Sequence, residues 1–207
     1  MNLYFNKDCI EVGIDEVGRG CLFGRVYAAA VIWPKENNPN IEHPIMKDSK
    51  KYSKKKLIDM EKYVKENCLE YAIGYIEHDE IDKINILNAT YKAMHKALNN
   101  MNTKFDTIIV DGNRFEPYMD KNMNITPHNC IIEGDNKYYP IAAASIIAKC
   151  ARDRYIQELC KENPEYNEKY KLSTNVGYGS KHHLDGIKEY GITNLHRKTF
   201  GICKKYK

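Results

Sequence analysis

The chain has 207 residues with one tryptophan, 43% hydrophobic and 29% charged residues, and a formal charge of +4. This size predicts one globular domain that buries roughly 70% of its unfolded surface without disulfide staples. No stretch approaches the about 18 continuous apolar residues of a membrane span, the opening MNLYFNKDCIEVG lacks the basic-then-apolar pattern of a secretory signal, and seven scattered cysteines include no CxxC pair, so the expectation is an intracellular protein with reduced thiols.

Residues 10–17 read as a strand, and residues 26–33 (VYAAAVIW) as a second after a glycine-rich turn. Residues 34–44 are a loop by their Pro and Asn content. Ser53 is placed to cap a helix whose apolar residues Leu57, Met60, Tyr63 and Val64 recur at three-to-four spacing. Residues 70–77 alternate and predict a third strand. Asn85 is then placed to cap a long helix with the stripe Leu87, Tyr91, Met94 and Leu98. Residues 107–110 (TIIV) form a short, wholly apolar run, the pattern of a strand covered on both faces. A Pro/Asn-rich loop leads to about residue 128, and residues 129–133 (NCIIE) repeat the strand pattern. Residues 141–160 predict a long helix, apolar all round in its first half and charged in its second, hence buried at one end and emerging at the other. Together these elements predict an α/β domain around a mixed sheet flanked by helices.

Charge is segregated along the chain. Residues 47–56 (KDSKKYSKKK) carry six lysines against one aspartate, and residues 196–207 carry five basic residues and no acid. Two segments of +5 within a chain of +4 leave −6 for the remainder. A basic run is usually a solvated face, but two of them beside an acidic remainder point to an anionic polymer as partner.

Three acids or acid pairs stand at predicted strand ends: Asp15 with Glu16, Asp111, and Asp135. The carboxyl ends of strands in an open α/β sheet are where such folds bind ligands. Four carboxylates brought together repel one another and are tolerated where they capture hard cations such as Mg²⁺; two such ions support in-line phosphoryl displacement. Strand-end Asp beside Gly also simply makes turns, so Asp111-Gly112 and Gly134-Asp135 carry both readings. Asp15 and Glu16 are harder to read as a turn, because alternation sends one of them to the buried side. Gly18, Arg19 and Gly20 follow two residues later, a cation between glycines that let backbone approach a ligand closely.

Residues 13–31 (GIDEVGRGCLFGRVYAAAV) resemble the signature of type 2 ribonuclease H, RNase HII. The resemblance continues through residues 48–53 (DSKKYS), 85–97 (NILNATYKAMHKA), 110–113 (VDGN), Gly134-Asp135, 141–154 (IAAASIIAKCARDR), 177–181 (GYGSK) and 196–200 (HRKTF). It thus spans nearly the whole chain in the family's order. It implies a single ribonuclease H-like catalytic domain over residues 1–207, with a smaller helical substrate-binding part from about residue 160.

The resemblance implies that Asp15, Glu16, Asp111 and Asp135 are catalytic and hold two Mg²⁺ or Mn²⁺ ions. The implied activity is cleavage of the RNA strand of RNA–DNA hybrids, and cleavage 5′ to single ribonucleotides embedded in duplex DNA, leaving 3′-hydroxyl and 5′-phosphate ends. Gly18, Arg19 and Gly20 are implied to contact 2′-hydroxyls, the group that separates RNA from DNA. Tyr178 matches the tyrosine that packs on the sugar beyond the junction; by itself it reads as one surface tyrosine among 16. Lys50 and Lys51 match basic residues of the substrate groove, where phosphate contacts position the duplex. The implied partner is a hybrid duplex or DNA with embedded ribonucleotides; no membrane is involved, and a monomer is expected.

Lys54, Lys55 and Lys56 read as an exposed helix face, and His182 and His183 as groove or surface residues, because hard Mg²⁺ prefers oxygen. Cys150 reads as a small core residue. Cys21, Phe23 and Arg25 depart from the family's Pro, Ala and Pro, which predicts a looser turn and a need for room around Phe23. Glu133 departs from a lysine, predicting an extra negative charge beside the metal site. Type 3 ribonuclease H is the alternative enzyme, disfavoured because only 14 residues precede Asp15. A hybrid-binding protein without catalysis is the alternative of another class; its mark would be a missing carboxylate.

Overall fold

The computed structural model describes residues 1–35, 44, 46 and 52–206. Five strands form one mixed sheet: β1 (Glu11–Val17), β2 (Val26–Ile32), β3 (Glu70–Ile76), β4 (Thr107–Asp111) and β7 (His128–Ile131), in the order β3-β2-β1-β4-β7. β1 runs antiparallel to β2 and parallel to β4, and β4 parallel to β7. A second, two-stranded ribbon, β5 (Tyr118–Met119) with β6 (Ile125–Thr126), stands inside the stretch predicted as loop.

β2 is buried along its whole length because helices cover both faces. Its alternation divides the core. Val26, Ala28, Ala30 and Ile32 face α2 (His78–Asn99), whose Ala93, Met94, Ala97 and Leu98 pack against them. Tyr27, Ala29 and Val31 face α1 (Lys54–Asn67) and α3 (Tyr139–Glu162). Gly13 of β1 is required by the second contact: a Cβ there would stand 2.3 Å from the Pro140 carbonyl carbon, so only glycine lets α3 lie this close.

A third apolar cluster gathers Tyr166 and Tyr170 of α4 (Glu165–Tyr170), Leu172 of α5 (Leu172–Asn175) and Ile187 of α6 (Lys181–Tyr190) around Leu22, Phe23 and Ile156. The residues after 160 therefore close over the turn between β1 and β2.

The predicted elements hold with shifted ends. Ser53 does cap α1, its Oγ accepting the Lys56 amide at 3.3 Å. Asn85 caps as expected, its Oδ1 accepting the Leu87 and Asn88 amides at 3.0 and 3.2 Å, but a further helical turn precedes it across a kink with Asn85 at φ 66°. The kink turns Leu87 outward, so the buried stripe runs through Thr90, Met94 and Leu98 instead. The strand predicted over 129–133 begins at His128 and ends at Ile131, because Glu133 adopts the left-handed conformation at φ 55°. Most of the predicted loop 34–44 lies outside the described residues.

Candidate active site

Sheet register assembles the acids. Ile14 pairs with Val110 across parallel β1 and β4, so Asp15 and Asp111 leave neighbouring strands at the same end. The Gly134 amide donates to Asp111 Oδ1 at 2.7 Å, tying the 3₁₀ turn Gly134–Asn136, and with it Asp135, to the end of β4. Asp15, Glu16, Asp111 and Asp135 line one open cavity of about 740 Å³. Gly18, Arg19, Gly20 and Tyr178 line the same cavity.

Of the adjacent pair, Asp15 is the buried member, as alternation predicted. It accepts the Glu16 amide at 2.7 Å and hydrogen-bonds Ser145. Burial, then the charges of Glu16 and Asp111, push its carboxyl well above the ordinary range. Burial also raises Glu16, opposed by Arg19, whose Nη1 stands 3.2 Å from Glu16 Oε1. Carboxylates raised in this way favour an added positive charge. Among the described residues no three Asp, Glu, His or Cys side chains form a closed ion cage. An open wall of hard oxygen donors still suits Mg²⁺, which is held by one or two carboxylates plus waters and substrate phosphates rather than by an all-protein cage.

Facing this wall is the loop after β1. Gly18 has φ +92°, and a Cβ there would stand 2.3 Å from Arg152 Nε. Arg152 is fully buried and donates to the carbonyls of Arg25, Val176 and Phe23 at 3.1, 2.6 and 3.1 Å. Arg197, also fully buried, donates to the carbonyls of Gly24 and Arg19 at 2.9 and 3.0 Å. Tyr178 is 37% exposed, with the Arg152 guanidinium 5.8 Å from its ring centre. Burial raises its hydroxyl to about 12, keeping it neutral.

Several expectations change. His183 is not a surface residue but fully buried, whereas His182 is exposed, because neighbours on α6 point to different sides. The basic tail is not a uniform rim: His196 and Arg197 are buried, while Lys198, Lys204 and Lys205 are exposed. Glu133 is exposed and does not line the cavity. The turn carrying Cys21, Phe23 and Arg25 is laced rather than loose. Leu22 and Gly24 donate their amides to Gly177 and Leu195, and Phe23 fills the third core. Arg25 lies between the Tyr75 and Tyr155 rings, 4.3 and 4.4 Å from their centres, and pairs with Glu77. Lys54, Lys55 and Lys56 are exposed and Cys150 is buried, as predicted. Lys50 and Lys51 lie outside the described residues.

Sequence reasoning passed over Ser145 and Lys149, which line the cavity from α3. Lys149 is held by Asp153 at 2.6 Å. Their signal was available: polar residues four apart, on one face of an otherwise apolar half-helix.

Residues 12–203 match the family model described as Ribonuclease HII. The chain belongs to the ribonuclease HII family. Ribonuclease HII of Phocaeicola vulgatus is 43% identical over 199 residues, covering 96% of this chain and 92% of its own. That of Christiangramia forsetii is 44% identical over 199 residues, covering 96% and 94%. Among solved structures, the ribonuclease H2 of Pyrococcus horikoshii superposes with a TM-score of 0.74 at 25% identity, covering 95% of this chain and 96% of that one. The match to the ribonuclease HII model places the chain in type 2 rather than type 3. As a ribonuclease HII the protein is an endonuclease and hydrolase with ribonuclease H activity on RNA–DNA hybrids, in a divalent-metal-dependent family. No helix among the described residues is long and apolar enough to cross a membrane.

Proposed function

We propose that the protein cuts the RNA strand of hybrids and also cuts 5′ to single ribonucleotides in duplex DNA, with Asp15, Glu16, Asp111 and Asp135 as its catalytic, metal-holding carboxylates. The observation that carries this reading is that the four acids share one cavity with the Gly18–Arg19–Gly20 turn and Tyr178. Two bound Mg²⁺ or Mn²⁺ ions would supply an activated water and charge stabilisation for the departing 3′ oxygen. The chain's own part is to present carboxylate oxygens, to bring the substrate in and to orient it. Asp111 keeps one oxygen on the Gly134 amide, so its carboxylate is oriented before substrate arrives.

Gly20, where a Cβ would meet none of the described residues within 4 Å, lets the backbone approach a ribose 2′-hydroxyl. Tyr178 offers a ring face on which a sugar lacking the 2′-oxygen lies flat, which favours DNA on the 3′ side. Lys50 and Lys51 contact phosphates on this reading, and Lys149 adds a cation to the cavity wall. The part after residue 160 acts as the substrate-binding part, supplying Asn175 and Tyr178 to the cavity. A monomer is part of this reading, and seven unpaired cysteines suit a reducing, intracellular setting.

The test is a duplex with one embedded ribonucleotide, incubated with Mg²⁺, with Mn²⁺, or with EDTA. Cleavage leaving 3′-hydroxyl and 5′-phosphate ends, lost in EDTA and lost in Asp15→Asn while binding persists, is expected. Binding without cutting in either metal would mean a hybrid-binding protein instead.

A further inference from the structure

Between α6 and the closing segment two buried imidazoles meet. His183 Nε2 stands 3.1 Å from His196 Nε2. The outer ends of the pair are anchored on backbone. His183 Nδ1 is 2.9 Å from the Tyr178 carbonyl, and His196 Nδ1 receives the Thr193 amide at 2.9 Å. A carbonyl only accepts and an amide only donates, so His183 carries its proton on Nδ1 and His196 carries its proton on Nε2. The chain of hydrogen bonds then runs in one direction: Thr193 amide to His196, His196 to His183, His183 to the Tyr178 carbonyl. Burial keeps both rings uncharged, holding His183 below the ordinary histidine range and His196 at about 3. A proton added to either ring would set two N–H groups against each other.

The relay also touches the turn opposite. His196 bridges Phe23 and Tyr178 bridges Cys21 as isolated β-pairs, and the Phe23 and Tyr170 rings meet His196 edge-on at 5.1 and 5.0 Å. The Tyr178 main chain is therefore held from behind by His183, while its ring faces the cavity.

We propose that His183 and His196 are positioning residues that hold Tyr178 at the angle at which it receives the sugar beyond the ribonucleotide junction. The inference rests on the reading of Tyr178 as the sugar-packing residue and goes beyond it by naming what sets that ring's position. Neither histidine lines the cavity, so their effect passes through Tyr178.

The experiment compares KM and kcat on a single-ribonucleotide duplex for the full chain and for Tyr178→Ala, His183→Leu, His183→Asn and His196→Asn. His183→Leu removes the side-chain donor to the Tyr178 carbonyl and leaves the Ser180 amide donating to it at 2.8 Å. His183→Asn restores a donor near the Nδ1 position. His196→Asn keeps an acceptor for the Thr193 amide and removes the bridging donor together with the edge-on contacts to Phe23 and Tyr170. Loss of one neutral hydrogen bond predicts that His183→Leu raises KM about three- to tenfold with kcat nearly unchanged. His183→Asn should recover most of the loss, and His196→Asn should fall between. Added to Tyr178→Ala, His183→Leu should change KM no further, whereas a general structural role would repeat its full effect.

The relay is overturned if Tyr178→Ala raises KM and His183→Leu does not, or if the two effects multiply. Should His183→Leu not fold, an unchanged KM in His196→Asn overturns the proposal equally. A Tyr178→Ala protein with unchanged KM sinks the sugar-packing assignment itself, a separate result.

Discussion

Asp15, Glu16 and Asp111 reach the cavity from strands whose relative positions are set by sheet register, whereas the Gly18–Arg19–Gly20 turn and Tyr178 reach it from loops with no ladder around them. On the acidic side the backbone does the placing and the side chains are left in electrostatic conflict: burial and mutual repulsion raise Asp15. On the loop side the conflict is between cations, burial and the Arg152 charge holding Arg197 down at about 10. There the placing falls to buried polar side chains, Arg152 and Arg197 on carbonyls and the His183–His196 pair behind Tyr178. A sheet tolerates a strained charge cluster because its hydrogen bonds do not depend on those side chains. A loop has no such reserve, so its anchors must come from elsewhere in the chain and must be buried to stay in place.

The contrast predicts that changes on the acidic side cost activity and spare the fold. Asp111→Asn keeps an oxygen for the Gly134 amide but loses the charge. Hydrolysis should fall about 1,000-fold or more, the several kcal/mol expected of charge stabilisation at a metal-dependent centre, with the thermal midpoint nearly unmoved. A large drop in that midpoint would mean that the carboxylate also holds the sheet end together.

Arg152→Met should show the reverse, because it leaves three carbonyls without their donor. Stability should fall by about 3 kcal/mol, read as a lower urea midpoint, with the slope of the transition preserved. Gly18→Ala probes the junction between the two sides. Its Cβ would collide with Arg152 at a positive φ, predicting a loss of about 2 kcal/mol and a raised KM for hybrid substrate. Unchanged KM would separate the turn from substrate binding.

The smallest effect is expected at Glu61, a buried carboxylate outside the cavity whose shift has the opposite sign. Hydrogen bonds from Arg154 at 3.0 and 2.7 Å and the ion pair with Lys65 outweigh burial and hold it at about 2. A depressed carboxylate stabilises the fold above its unfolded value near 4.5, and that stability is lost as pH falls toward 2. With Arg154 half exposed, about 1 kcal/mol is expected. Glu61→Gln should flatten the stability profile over that window, and an unchanged profile would mean that the pair contributes nothing.

The strands were legible because their faces are apolar on both sides or alternate cleanly, and Asp15 with Glu16 because an acidic pair in such a strand has few structural uses, whereas Asp111 and Asp135 beside glycines fitted turns equally well. The buried cations and histidines were not legible. Arg197 looked like part of a basic tail and His183 like the twin of exposed His182. A long polar side chain declares itself buried only where carbonyls from distant segments converge on it, and those carbonyls belong to residues 19, 23, 24, 25 and 176. The first turn of α2 was hidden for a related reason. Asn85 carries a cap signal, but a kink and a helix start present the same local residue.

Local pattern by itself determined the α/β class and the approximate places of the strands, and it singled out the four acids as candidates, since periodicity and charge are properties of neighbouring residues. The resemblance carried in residues 13–200 added the family. Only the tertiary structure decided which of the basic residues face solvent and which are spent inside, because burial of a charge depends on partners far away in the chain. The small net charge of +4 thus sums cations in different settings, among them exposed lysines such as Lys198 and Lys204 and two arginines, Arg152 and Arg197, buried beneath the loops that face the acids.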